Sequence, residues 1–267
     1  MRLGISGVGL CARGLRGWRD FERLALQDFL LRDDGFLAPE PAAIPARERR
    51  RAPLPVKLAV EVAHQACDMA GADKSAIASV FTSAMGDTDI TDYLCRALAG
   101  PAKLLSPTKF HNSVHNAPSG YWSISAGNRA PSSFAGDFHH AFAAALLEAA
   151  TLCAAERRPV LLAAYDIANG PPFADIRAIT EPFAAALVLE PDAGAARARA
   201  IDIDCASGCA EAPVPRSATL RALAAANPAA YCLPLLEALT RDRAATLRWP
   251  LGAACYLNVS LATGPFH

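Results

Sequence analysis

No excess of charge marks this chain: 26 Lys and Arg stand against 26 Asp and Glu. A field of one sign draws proteins to phosphate backbones and anionic bilayers, so neither nucleic acid nor a membrane surface is an expected partner. No run reaches roughly 18 uninterrupted apolar residues, the length that spans a bilayer as a helix. The opening "MRLGISGVGLCARGLRGW" is too glycine-rich for a signal peptide and reads as a first strand. A disulfide framework is missing too. Eight scattered cysteines in 267 residues fit reduced thiols and a cytoplasmic location. Cys205 and Cys209 have no second pair with which to hold zinc, and no G-x-S-x-G elbow offers a hydrolytic serine.

Hydrophobic residues make up 52% of the chain, enough for a sizeable core. Residues 2–10 read as a strand ending in Gly7 and Gly9, and Trp18, Phe21, Leu24, Leu26 and Phe29 recur at helical spacing. Prolines at 39, 41, 45, 53 and 55 exclude regular structure from the next stretch, which carries "RERRR", Arg47 to Arg51. That run is either a solvated turn or a contact for an acidic partner.

"PVKLAVEVAHQACDMAG" predicts an amphipathic helix stopped by Gly71, and "ASVFTSAMG" a buried strand. A polar, turn-rich segment from about 105 leads to "SSFAGDF", which reads as a buried strand, and then to an alanine-rich helix over about 139–156. "RPVLLAAYDI" has the composition of a strand buried on both faces. "PFAAALVLEP" follows too closely for a crossover helix, so it pairs antiparallel or lies at an edge. The order predicts an α/β fold with a mostly parallel five-stranded sheet whose last strand is antiparallel. In the poorly patterned tail, "RARAIDIDCAS" and "GAACYLNVSL" are candidate strands, and "SATLRALAAAN" and "CLPLLEALTRD" candidate helices. No repeat or linker divides residues 1–267 into two domains.

Two motifs are weak. Gly7-Val-Gly9-Leu-Cys-Ala12 fits a loose dinucleotide fingerprint, but the second strand and its acidic residue do not follow, so a tight structural turn is expected. His111 and His115 have the spacing of metal ligands, yet Pro107, Pro118 and Gly120 crowd them, and loop histidines are expected instead. The joint at His139 and His140 is stronger. A strand running straight into a helix aims N-terminal N–H groups and the helix dipole at the turn, a device that stabilises the anion of a Cys or Ser. Here the turn holds imidazoles, poor carriers for an acyl group, and a neutral ring is expected beside the helix N-terminus.

The segments "ISGVGL", "VFTSAMGD", "HNAPSGYWSISAGNRAPSSFAGDFHHAFAAALLEA", "PVLLAAYD" and "PFAAALVLEP" resemble the N-terminal half of a β-ketoacyl synthase, a thiolase-fold enzyme. The resemblance covers residues 1–191 and leaves 192–267 as a C-terminal extension. In that family Asn-Ala-x-x-Gly precedes Gly-Pro-Ser and the strand and turn bearing the nucleophilic Cys. Aligned without a gap, Pro131 and Ser132 keep their places and His139 falls on the Cys. The tail's sole histidine is His267, so the family's two C-terminal catalytic histidines have no counterpart pair.

The half length and "SPTKFHNSVHNAPSGYW" further resemble the ketosynthase-like chain-length factors of aryl polyene pathways. The resemblance implies a subunit inactive by itself, without cofactor or metal. It would pair with a full-length β-ketoacyl synthase along the strand before His139 and receive chains on acyl carrier protein. It makes Phe110, Tyr121, Trp122, Phe134, Phe138 and Phe142, with His139 and His140, candidates for an acyl pocket, ordinary core being the alternative for the aromatics, and makes Arg47, Arg49, Arg50 and Arg51 the candidate carrier-protein contact. Its lone half would leave an apolar helix face that another chain or the tail must cover. The alternative is a stand-alone acyltransferase or hydrolase with His139 or His140 as base and Ser132, Ser133 or Asp137 nearby. A self-associating scaffold is the third reading.

Overall fold

The computed structural model describes residues 1–27, 35–195, 198–264 and 266. Phe29 and His267 lie outside them. Along the chain run β1 (Arg2–Ala12), α1 (Trp18–Gln27), α2 (Ala46–Arg49), α3 (Leu54–Ala70), β2 (Ala78–Ser83), α4 (Thr88–Ala99), α5 (Pro107–Asn112), α6 (Ala117–Ala126), β3 (Ser132–Gly136), α7 (Ala141–Glu156), β4 (Val160–Asp166), α8 (Phe173–Ile176) and β5 (Phe183–Glu190). The tail adds β6 (Arg199–Ser207), α9 (Ala218–Ala226), a 3-10 helix (Pro228–Cys232), α10 (Leu233–Leu239), β7 (Ala245–Pro250) and β8 (Cys255–Leu261).

The eight strands of the described residues form one sheet in the order β3-β2-β4-β5-β1-β6-β8-β7. The sequence predicts five strands, mostly parallel, and two points differ. Only the β2–β3 and β2–β4 pairings are parallel, because β5, which runs opposite to the other four, sits between β4 and β1 rather than at the end. The tail then continues the sheet with three antiparallel strands. Both candidate tail strands and both candidate helices are present; β7 is additional.

Alternation along β4 and β5 sends successive side chains into two helix layers. Val160, Leu162 and Ala164 with Phe183, Ala185 and Leu187 face α1, α7 and the helices of the tail. Leu161, Ala163 and Tyr165 with Ala184, Ala186 and Val188 face α3 and α6. The inner side of α7 meets the 3-10 helix of the tail, and its Phe142 packs on Trp249 with ring centroids 5.7 Å apart.

Gly7 and Gly9 are neither a phosphate loop nor a turn. Both lie inside β1, where α3 crosses so closely that an added Cβ would stand 2.1 Å from the Ala66 carbonyl oxygen or 2.0 Å from that of Val62. Glycine is there for helix-to-sheet contact. Gly71 caps α3 in the left-handed region, φ 67°, as its sequence predicts. In the proline-rich stretch, where regular structure is not expected, α2 makes a single turn with Pro45 just ahead of it.

Candidate functional site

β2, β3 and β4 point the same way, so their carboxyl ends, Ser83, Gly136 and Asp166, open onto one rim. Ligands in open α/β sheets bind outside such ends. The β3–α7 joint belongs to this rim. β3 is not a buried strand but the short edge of the sheet, with Ser132 and Gly136 exposed. Among the described residues, no strand pairs with its outer backbone groups.

At the joint, one Asp137 carboxylate oxygen accepts the N–H of His139 at 2.7 Å and that of His140 at 2.6 Å. His140 is the residue before the first turn of α7, so these bonds lie in the turn that leads into the helix. Burial pushes the Asp137 carboxyl up, but the two amide bonds outweigh it and hold it below the usual range. A carboxylate thus shares the turn with the two imidazoles. The His139 ring is exposed and packs edge-on against Phe138 at 4.8 Å and beside His140 at 5.9 Å.

The joint is gripped from the other side by Arg177, whose guanidinium donates to the Phe138 carbonyl and lies 5.2 Å from the Phe138 ring and 6.0 Å from the Tyr231 ring. Nearby, Asp166 is buried and accepts from Ser83 Oγ at 2.6 Å and from the amides of Ala84 and Met85. Burial raises its carboxyl to about 6 against the pull of those bonds. Sequence reasoning misses Asp137 as an amide acceptor, and Asp166 and Arg177 altogether. The two aspartates carry a signal, one just before a helix and the other ending an apolar strand.

The six aromatics do not assemble at one place. Phe138 is half-buried at the joint, and Phe134 on β3 stacks on His115 at 5.0 Å. Phe142 is buried against Trp249, and Tyr121 and Trp122 are buried between α6 and α3. Phe110 is 61% exposed on α5. His111 lies on α5 rather than in a loop, and among the described residues no cluster of His, Cys, Asp or Glu could hold a metal. No helix among them is long and apolar enough to cross a membrane.

Ser132 and Ser133 are at the opposite end of β3, about 13 Å of strand from Ser132 to Gly136 at roughly 3.3 Å per residue. Ser132 Oγ accepts from Ser79, and Ser133 Oγ donates to Glu148. Neither reaches an imidazole of the joint. Of the arginine run, Arg49 turns back to the Pro41 carbonyl. Arg50 and Arg51 line a groove of about 480 Å³ with Lys109, Asp87 and Asp89, while Arg47 is exposed on α2.

Comparisons with known proteins agree with this geometry. A chain from a ketosynthase in complex with its chain length factor, from Xenorhabdus doucetiae, superposes with a TM-score of 0.71 over 97% of this chain and 99% of that one, at 24% identity. A chain of the ishigamide ketosynthase/chain length factor gives 0.72 over 98% and 99%, at 14% identity. The ketosynthase from module 6 of the bacillaene synthase of Bacillus subtilis 168 gives 0.57 at 12% identity; 80% of this chain matches 45% of that one. No curated protein matches the sequence. The family model described as "Beta-ketoacyl synthase, N-terminal domain" matches residues 28–249, and to that family, with its thiolase-like α/β fold, the chain belongs.

Proposed function

We propose that this chain is the non-catalytic partner of an active β-ketoacyl synthase: a chain-length factor that pairs with it in the cytoplasm, shapes its acyl pocket and limits product length in polyene-type biosynthesis. One observation carries the reading. Where the sequence resemblance sets the family's nucleophile stands His139, and the amides of His139 and His140 are bound to Asp137. The joint is built without a carrier for the acyl group. Two solved structures whose chains are of near-equal length are a ketosynthase with its chain length factor and the ishigamide ketosynthase/chain length factor, which supports pairing as the role.

The exposed edge of β3 is the proposed contact, since an edge strand offers a row of backbone donors and acceptors to a second sheet. Phe138 is the aromatic best placed for the pocket wall, with Phe134 behind it on β3. Arg50, Arg51 and Lys109 are the proposed cationic contact for acyl carrier protein. The aryl polyene class is proposed on sequence resemblance.

Co-expression with full-length synthases followed by native mass spectrometry tests the pairing, and a one-to-one complex is expected. Phe138→Ala in that complex is expected to change product length before rate. Turnover of acyl thioesters by the isolated chain, abolished by His139→Ala, would sink the reading.

A further inference from the structure

We propose that Arg177 is a positioning residue that fixes Phe138, and that the C-terminal part of the chain, through Tyr231, thereby helps set the shape of the pocket wall. The inference rests on the reading above, in which Phe138 forms part of that wall.

Three contacts converge on one guanidinium. It donates to the Phe138 carbonyl, lies over the Phe138 ring, and is approached by the Tyr231 ring at 6.0 Å. Arginine suits this place because its planar fork can hold a carbonyl while its face meets an aromatic ring. Phe138 is only half-buried, so the core does not hold its side chain on every side. Tyr231 itself is anchored, since its carbonyl accepts the indole N–H of the buried Trp249 at 3.1 Å. The path from tail to joint is thus continuous: Trp249 holds Tyr231, Tyr231 flanks Arg177, and Arg177 holds Phe138. This gives the C-terminal part of the chain a role beyond covering α7.

The test places 4-fluorophenylalanine at position 138 in the full chain and reads its fluorine resonance, alone and in the complex with the synthase, alongside product length. In the parent one sharp resonance is expected. Arg177→Met should displace and broaden it and alter the product distribution, with Arg177→Lys intermediate in both. Tyr231→Leu, which leaves the carbonyl to Trp249, should displace it as well and supplies a second approach if Arg177→Met folds poorly. A resonance in Arg177→Met and in Tyr231→Leu that superimposes on the parent's would overturn the proposal. A displaced resonance with unchanged products would uphold the clamp and count against Phe138 as wall.

Discussion

Replacing His139 with Cys puts a thiol where the sequence resemblance sets the family's nucleophile and asks whether the joint can activate it. A cysteine at a helix start with free amides has its thiol lowered into the range of about 3.5–7.5. Here Asp137 holds the amides of residues 139 and 140 at 2.7 and 2.6 Å, so that source of stabilisation is taken. It also sets a negative charge near the new sulfur. At a separation of roughly 5 Å the repulsion is about 3 kcal/mol for an effective dielectric of about 20 and about 0.8 kcal/mol in water, and position 139 is exposed, so the value lies between. Repulsion of that size raises the thiol by roughly 0.6–2.4 pKa units. The pH dependence of iodoacetamide alkylation should therefore place the His139→Cys thiol above its ordinary value of about 8.5, and adding Asp137→Ala, which removes the charge and frees the amides, should bring it down by at least about one unit. An alkylation midpoint near pH 7 in the single variant, or none of that fall in the double variant, would refute this account of the joint.

Two other predictions concern the scaffold. Gly9→Ala should cost at least about 3 kcal/mol, because the new Cβ meets backbone atoms of α3 that no rotamer change can move away. Gly120→Ala, inside α6 with open space around it, should be neutral or stabilise by about 0.5–1 kcal/mol. Urea midpoints separate the two, and equal midpoints would remove the packing account of β1. Asp166 gives a pH signature. Its carboxyl is raised from an unfolded value near 3.9 to about 6, so the folded state binds the proton more tightly. That contribution is fully present below about pH 4 and is lost as pH rises through about 6, roughly 3 kcal/mol in all. Asp166→Asn should lack this decline, so its stability difference from the parent should shift in its favour by about that amount between about pH 4 and pH 7. Parallel stability-against-pH curves would exclude it.

The elements with the longest periodic or apolar patterns, α3, α7, β4 and β5, are legible because burial on one or both faces dictates their residues directly. α6 reads as turns because Pro118 and Gly120 interrupt it. Yet Pro118 sits in the first turn, where its missing N–H is no loss, and Gly120 is on the exposed side. β3 reads as buried from Phe134 and Ala135; its place at the edge depends on which strands pair, and composition does not encode that. β7, "ATLRWP", is short and half-exposed at the other edge and has too few buried positions to stand out. At the candidate site, His139 emerges only through alignment with a known pattern. The contacts that define its surroundings join residues far apart in sequence: Arg177 reaches back 39 positions to Phe138, and Asp166 bonds to Ser83 across 83.

The cover that the 3-10 helix and Trp249 give α7 has a further consequence. A single α/β layer set of this kind, taken without the tail, would carry a greasy face in need of shelter. This one brings its own, so that layer is not left bare while the chain waits. Shelter for that face therefore gives this chain no reason to need a second one, and what stays open is the outer edge of β3.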